Sequence, residues 1–384
     1  MRVCFISFEY PPNLLGGAGT YAEAIVKGLK RRGVEVFVIT RGDRNDYNQK
    51  TFGVPTSNVP YMRRLFFMKP AIGILHELNR LLKFDLVHFN EPHIIIEKLN
   101  LPTVCSVHST QVNEIKLRLA DLKTLKTTID FRDLILKSSV GSICDVITAH
   151  ITDKIICPSP HLARLIKSYC FVDEQKICVI PNGIDLKAFD RVKDYDAEIL
   201  SKYDLERNNY VLFMGRLSVF KGVQYLITAF RTIKKEYANL KLVIAGTGDY
   251  ENYLRNLAYN IEDIVFIGYV ESLAVKKLLY ENCLAVVVPS LYEALPMVVL
   301  EAMASRKAVI ASDVGDIPLL MRHGKNGFLA KPGDSKSLEK FVRILLEDAN
   351  LRKNMGSFGR RLVEKEFTID KMVSETLRVY KSLA

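Results

Sequence analysis

RVCFISFEYPPNLLGGAGTYAEAIVKGLKRRGVEVFVIT, residues Arg2–Thr40, decides the fold class. Arg2–Phe8 is rich in Val, Ile and Phe and reads as a strand. A loop follows, marked by Pro11, Pro12, Gly16, Gly17 and Gly19. From Thr20 to Arg31, the apolar residues Ala22, Ile25, Val26 and Leu29 recur at helical spacing. Gly33 stops that helix, and Val34–Thr40 is a second strand. Strand, helix, strand with continuously apolar strands predicts a parallel sheet covered on both faces.

The same alternation extends outward. Further strands are expected at Leu86–Phe89, Thr103–His108, Lys154–Cys157 and Val179–Ile180. Pro181-Asn182-Gly183-Ile184-Asp185 is turn chemistry, and the charged stretch 190–209 follows it. The pattern then restarts, with strands Tyr210–Met214, Lys241–Ala245, Ile264–Ile267, Ala285–Val288 and Ala308–Ala311. Helices Val223–Lys234, Tyr250–Leu257, Leu273–Glu281 and Met297–Ala304 lie between them, and a last helix covers Ile369–Leu383. The expected organisation is an α/β chain of two Rossmann-like domains, 1–180 and 181–366, facing a central cleft, with 367–384 returning to the first. Open parallel sheets bind ligands beyond the carboxyl ends of their strands.

Composition fits this class and excludes several others. The chain has 384 residues, 48% hydrophobic and 25% charged, which rules out disordered and collagen-like proteins. No apolar run reaches the ~18 residues of a membrane-spanning helix. Met1–Tyr10 has neither the basic region nor the cleavage site of a secretory signal. Seven scattered cysteines read as reduced thiols in a cytoplasmic protein. The net charge of +11 attracts phosphate, nucleic acid or anionic lipid, or is simply that of a soluble basic protein.

Several residues stand where chemistry is expected. Arg216 and Lys221 flank a strand-to-helix turn, Gly215–Gly222, where two cations suit a diphosphate leaving group. Glu293 lies on a loop, and Glu301 lies roughly 10 Å further along a helix that begins near Pro296. That span suits two hydroxyl clusters of one extended ligand. The apolar neighbours of Glu301 predict that it is partly buried and partnered. The N–H groups of Leu295, Met297 and Val298 would face whatever lies at the helix start. Gly16 and Gly17 let backbone approach a ligand closely. Gly17-x-Gly19-x-x-Ala22 is not a nicotinamide fingerprint, since an insert precedes it and the second strand ends in Thr40-Arg41 without an acid. His108, at a strand's carboxyl end, faces the ligand side. His88 and His93 have weaker support. No spacing looks like a metal site, and Asp194-Tyr195-Asp196 reads as a solvated loop.

Taken together, these motifs resemble the retaining nucleotide-sugar glycosyltransferases of family 4, which have the GT-B fold. The resemblance covers nearly the whole chain. It rests on the order of Gly16–Gly19, His108, Pro181–Asp185, Gly215-Arg216-Leu217, Lys221-Gly222, Ala245-Gly246-Thr247-Gly248, Phe266–Val270 and the Glu293/Glu301 pair. It implies a metal-independent enzyme that moves a hexosyl unit from a UDP- or GDP-sugar to an acceptor hydroxyl, with no cofactor and no nucleic-acid partner. Arg216 and Lys221 would bind the diphosphate, Glu301 the ribose, and Glu293 and His108 the donor sugar. The backbone of Gly268, Tyr269 and Val270 would hold the base, and Gly17 would approach the phosphates. Ala294 and Pro296 replace glycines common in the family, which leaves the donor role intact.

The acceptor would be a carbohydrate or a lipid-linked molecule. Tyr61–Pro70 mixes bases with apolar residues, and Lys116, Arg118, Lys123, Lys126 and Arg132 punctuate a helical stretch. These segments suit either peripheral contact with the inner face of a membrane or an ordinary amphipathic core helix. Two alternatives stay open: another GT-B enzyme, such as an epimerase or phosphorylase, and a non-catalytic subunit.

Overall fold

The computed structural model describes residues 1–12, 16–43, 45–56, 63–91, 95, 97–110, 131–190 and 198–383, with backbone alone at 63–65, 131–140 and 198. Tyr61, Met62, His93, Lys116, Arg118, Lys123, Lys126 and Asp194–Asp196 therefore lie outside the described residues, as do the side chains of Arg63, Arg64 and Arg132. The chain forms two compact units, Met1–Gly183 with Ile369–Ala384, and Ile184–Thr368.

In the first unit β1 (Arg2–Ser7), β2 (Glu35–Arg41), β3 (Thr51–Val54), β4 (Leu86–Asn90), β5 (Thr103–Ser106), β6 (Lys154–Cys157) and β7 (Ile177–Val179) form one sheet. Its order is β3-β2-β1-β4-β5-β6-β7, and every pairing is parallel. Strand alternation divides the apolar residues between two faces. Val3, Phe5, Val36 and Val38 pack with Tyr21, Ala22, Ile25, Val26 and Leu29 of the helix Gly17–Arg31. Cys4, Ile6, Phe37 and Ile39 pack with Phe67, Met68, Ala71, Ile72 and Leu75 of the helix Arg63–Leu82. Phe67 and Met68 are thus core residues, which favours the amphipathic-helix reading of their segment. The last helix, Ile369–Lys381, lies on the first helix because Gly28 is bare. A Cβ there would stand 2.3 Å from Val373 Cγ2.

In the second unit β8 (Tyr210–Met214), β9 (Lys241–Ala245), β10 (Ile264–Gly268), β11 (Ala285–Val288), β12 (Val309–Ser312) and β13 (Gly327–Ala330) pair in parallel in the order β10-β9-β8-β11-β12-β13. Tyr210, Leu212 and Met214 face one apolar layer, and Val211 and Phe213 face the other. The unit is closed where Ile184 N–H donates to Phe367 O at 2.9 Å.

Each sheet has one place where the chain finishes one half and crosses to begin the other. It falls between β1 and β4 in the first unit and between β8 and β11 in the second. Such a crossing leaves a crevice at the carboxyl ends of the two strands, so the loops after β8 and β11 are where a ligand is to be sought.

Candidate active site

The loop after β8 runs through Gly215, Arg216 and Leu217 to a short turn, Val219–Lys221. Gly222 then takes φ +67° and opens the helix Val223–Ile233. A side chain at Gly222 would put its Cβ 1.9 Å from the carbonyl oxygen of Pro289, on the loop after β11. The two loops are also joined by Leu291 N–H donating to Phe220 O at 2.7 Å. Lys221 is thereby delivered to Glu293, with Nζ 2.5 Å from Oε1. Ser290, fully buried, donates its hydroxyl to the same oxygen at 2.8 Å. Glu293 is only 8% exposed, so its charge is sustained by these two donors.

Arg216 is placed differently. Its guanidinium stands 3.8 Å from Asp249, and both side chains are 69% exposed. An ion pair so open to water is worth ~0–1 kcal/mol, so Arg216 can leave it at little cost. Its loop is seated from below: Leu217 N–H donates to Thr247 O at 2.9 Å, and a Cβ on Gly246 would lie 1.8 Å from Gly215 O. Gly246 N–H in turn donates to the carbonyl of Gly268 at 2.7 Å, at the end of β10. Tyr269 beyond it is half-exposed and Val270 is buried.

The helix Met297–Ala304 is found at the residues expected, and Pro296 is its cap rather than part of its first turn. Proline has no side-chain acceptor, so no side chain caps this helix. Among the described residues no hydrogen bond occupies the N–H of Met297 or Val298. The Leu295 side chain sits in the core. Glu301 is 8% exposed, and it has a partner: Tyr280 Oη donates to its Oε2 at 2.7 Å. Burial first, and then the adjacent carboxylate, hold the Tyr280 phenol well above the ordinary tyrosine range, so it stays a donor.

In the first unit β5 ends at Ser106, two residues before His108, and the first helix begins at Gly17 rather than Thr20. Gly16 is therefore the helix cap, and Gly17 lies in the first turn instead of an open loop. Asn90, at the end of β4, donates through Nδ2 to Ala18 O at 3.1 Å and to Ser7 Oγ at 2.9 Å. Because Ala18 O can only accept, Asn90 turns Oδ1 toward His108 Nε2, 2.9 Å away. The proton of neutral His108 is thus assigned to Nε2, and Nδ1 is its acceptor. Burial pulls the pKa of His108 down to about 4. His88 is not on the ligand side. It is fully buried, bonded to Tyr380 Oη at 2.5 Å and Ser106 Oγ at 2.7 Å, and burial pulls its pKa to about 3. Among the described residues no group of three His, Cys, Asp or Glu could hold a metal ion, and no helix is long and apolar enough to cross a membrane.

The sequence singled out Lys221, Glu293, Glu301 and His108 but missed the side chains that orient them: Ser290, Tyr280 and Asn90.

Two parallel-sheet α/β domains with these loops at their crossing points define the GT-B class of glycosyltransferases. Residues 196–362 match the glycosyl transferases group 1, and residues 15–188 match glycosyltransferase family 4. An uncharacterised glycosyltransferase of Methanocaldococcus jannaschii is 30% identical over 400 residues, covering 99% of this chain and 98% of that protein. The chain belongs to the group 1, family 4-type glycosyltransferases. Among solved structures, a sucrose-phosphate synthase from Thermosynechococcus elongatus superposes with a TM-score of 0.80 at 19% identity, covering 100% of this chain and 99% of that one. Anabaena HepE in complex with UDP-glucose superposes with a TM-score of 0.73 at 18% identity, over the whole of both chains.

Proposed function

We propose that this glycosyltransferase is a retaining, metal-independent hexosyltransferase that takes its sugar from UDP or GDP and passes it to a hydroxyl of a glycan, lipid-linked or small-molecule acceptor. The second unit is the donor side and the first the acceptor side. The observation that carries this reading is the interlock of the loops after β8 and β11, which holds the Lys221 ammonium 2.5 Å from Glu293. A cation held by a carboxylate is ready to exchange it for phosphate oxygens. HepE, which carries UDP-glucose, lends support to a nucleotide donor.

In this reading Lys221 and Arg216 turn to the diphosphate and neutralise the charge it gains on leaving. Glu293, released by Lys221, accepts from hydroxyls of the sugar, and Glu301 accepts from those of the ribose. The N–H groups of Met297 and Val298, beside Leu295 and Pro296, face the donor with the positive end of their helix. Gly268, Tyr269 and Val270 hold the base by their backbone. Gly16 and Gly17 present N–H groups to the phosphates, and His108 Nδ1 accepts a sugar hydroxyl. The acceptor hydroxyl attacks from the side the diphosphate leaves, and a diphosphate oxygen takes its proton. The anomeric C–O bond to phosphate breaks, and a new bond to the acceptor oxygen forms with the same configuration.

The test is incubation with UDP- and GDP-hexoses, with and without acceptors and EDTA, following nucleoside diphosphate release and the anomeric configuration of the product by NMR. Retained configuration unaffected by EDTA is expected. An inverted product, or activity abolished by EDTA and restored by a divalent cation, would overturn the mechanism. Release of an epimerised sugar or a sugar phosphate would identify a different reaction.

A further inference from the structure

Glu301 is a nearly buried carboxylate with a single hydrogen bond. Its Oε2 accepts from Tyr280, and no other group among the described residues bonds the carboxylate. Tyr280 lies on the helix Leu273–Asn282, and its ring is fully enclosed by the core that also holds Val286, Val288, Val299 and Leu300. An aromatic side chain close-packed on every side is held near a single rotamer. Its hydroxyl is a fixed point, and Glu301 is the acceptor it meets.

We propose that Tyr280 is a positioning residue for nucleotide recognition: it anchors Glu301 through Oε2, so that Oε1 is the oxygen that reads the ribose hydroxyls. This rests on the ribose assignment above. Tyr280 touches no ligand in this scheme. Without its hydroxyl the carboxylate rotates, and the second oxygen competes for the same place. Discrimination between a ribose and a 2′-deoxyribose then weakens, even though every ligand-contacting residue is intact.

The experiment measures the Kd of the intact protein for UDP against 2′-deoxy-UDP, and for GDP against 2′-deoxy-GDP, by calorimetry. The pair that wild type binds more tightly is then followed in Tyr280→Phe, Glu301→Gln and the double variant. A hydrogen bond to a charged acceptor predicts a ribo-to-deoxy preference of roughly tenfold or more in wild type. Tyr280→Phe should bring it to within about threefold, and Glu301→Gln should nearly abolish it. In the double variant the ribo-to-deoxy ratio should match that of Glu301→Gln alone. A generally loosened fold would weaken both nucleotides equally and leave the ratio unchanged. If Glu301→Gln abolishes the preference while Tyr280→Phe preserves it, the positioning role is overturned and the ribose role stands. If Tyr280→Phe still shifts the ribo-to-deoxy ratio in the Glu301→Gln background, the positioning role is likewise overturned. If Glu301→Gln leaves the preference intact, or if wild type binds neither nucleotide, the ribose assignment itself falls.

Discussion

Gly222→Ala is the sharpest probe of how the site is built. Two costs add at this position. An L-residue at φ +67° costs ~1–2 kcal/mol. The new Cβ would also lie 1.9 Å from Pro289 O, so the two loops must part by about 1.5 Å to restore ordinary contact. Overpacking of this kind adds ~1–3 kcal/mol. Gly33 supplies the control: it takes φ +79° but has nothing within 4 Å of a built Cβ. Gly33→Ala should therefore show the backbone cost alone, and Gly222→Ala that cost plus the clash, together ~2–5 kcal/mol. Parting the loops also draws Lys221 from Glu293, and a misplacement of ~1 Å can cost on the order of 10²-fold in rate. Urea unfolding gives the stability, and nucleoside diphosphate release on the same samples gives the turnover. Gly33→Ala should turn over like wild type. Gly222→Ala matching Gly33→Ala in both measurements would refute the interlock.

Lys221→Ala should lower turnover by ~10²–10³-fold, and it should cost about 1–3 kcal/mol of stability because, among the described residues, Glu293 then keeps only Ser290. Near-normal rates would remove the leaving-group role. His88 and His108, held at about 3 and about 4, are neutral in the folded chain while the unfolded chain takes up protons below about 6.5. Their contribution is complete above pH 6.5 and is lost as pH falls toward 4 for His108 and toward 3 for His88, with a slope of up to ~1.4 kcal/mol per unit for each histidine. Urea midpoints at pH 7 and pH 5 in wild type and His88→Phe measure it, and equal slopes in the two would contradict it. Gly28→Ala should lift the last helix from the first, since its Cβ would stand 2.3 Å from Val373. Limited proteolysis should cut faster near residues 369–381, and an unchanged digestion pattern would show that the helices adjust.

The inner strands were legible because a parallel strand buried on both faces reads as an unbroken apolar run; Tyr210–Met214 and Ala285–Val288 are found at the residues expected. β3 and β13 escaped for the complementary reason. Thr51–Val54 and Gly327–Ala330 are four-residue edge strands that each contain a glycine, so no such run exists. Ser335–Glu347 also went unread, although Leu338, Val342 and Leu345 carry the helical period amid charged neighbours. At the site, residue types and strand ends pointed to Lys221 and Glu293, but their ion pair spans 72 residues of sequence and no spacing rule yields it. Tyr280 was hidden because an aromatic on an amphipathic helix reads as core, which it also is.

Two glycines of the family motifs, Gly222 and Gly246, and with them Gly315, turn out to be the mechanical parts of the site. Gly222 presses on the carbonyl of Pro289 and Gly246 on that of Gly215, and a Cβ on Gly315 would lie 1.8 Å from Glu293 O. In each case backbone from one loop rests directly on backbone of another, at the carboxyl ends of β8, β9, β11 and β12. A side chain on a flexible stem can be displaced by a rotamer change; a carbonyl pressed against a bare Cα moves only with its whole loop. The positions of Arg216, Lys221 and Glu293 are therefore set by main chain on main chain, and only the last few ångströms by Ser290 and Asp249. Substitutions in that backbone layer should act on rate and stability together, whereas truncating Ser290 or Asp249 should change the orientation of one charge and leave the layer standing.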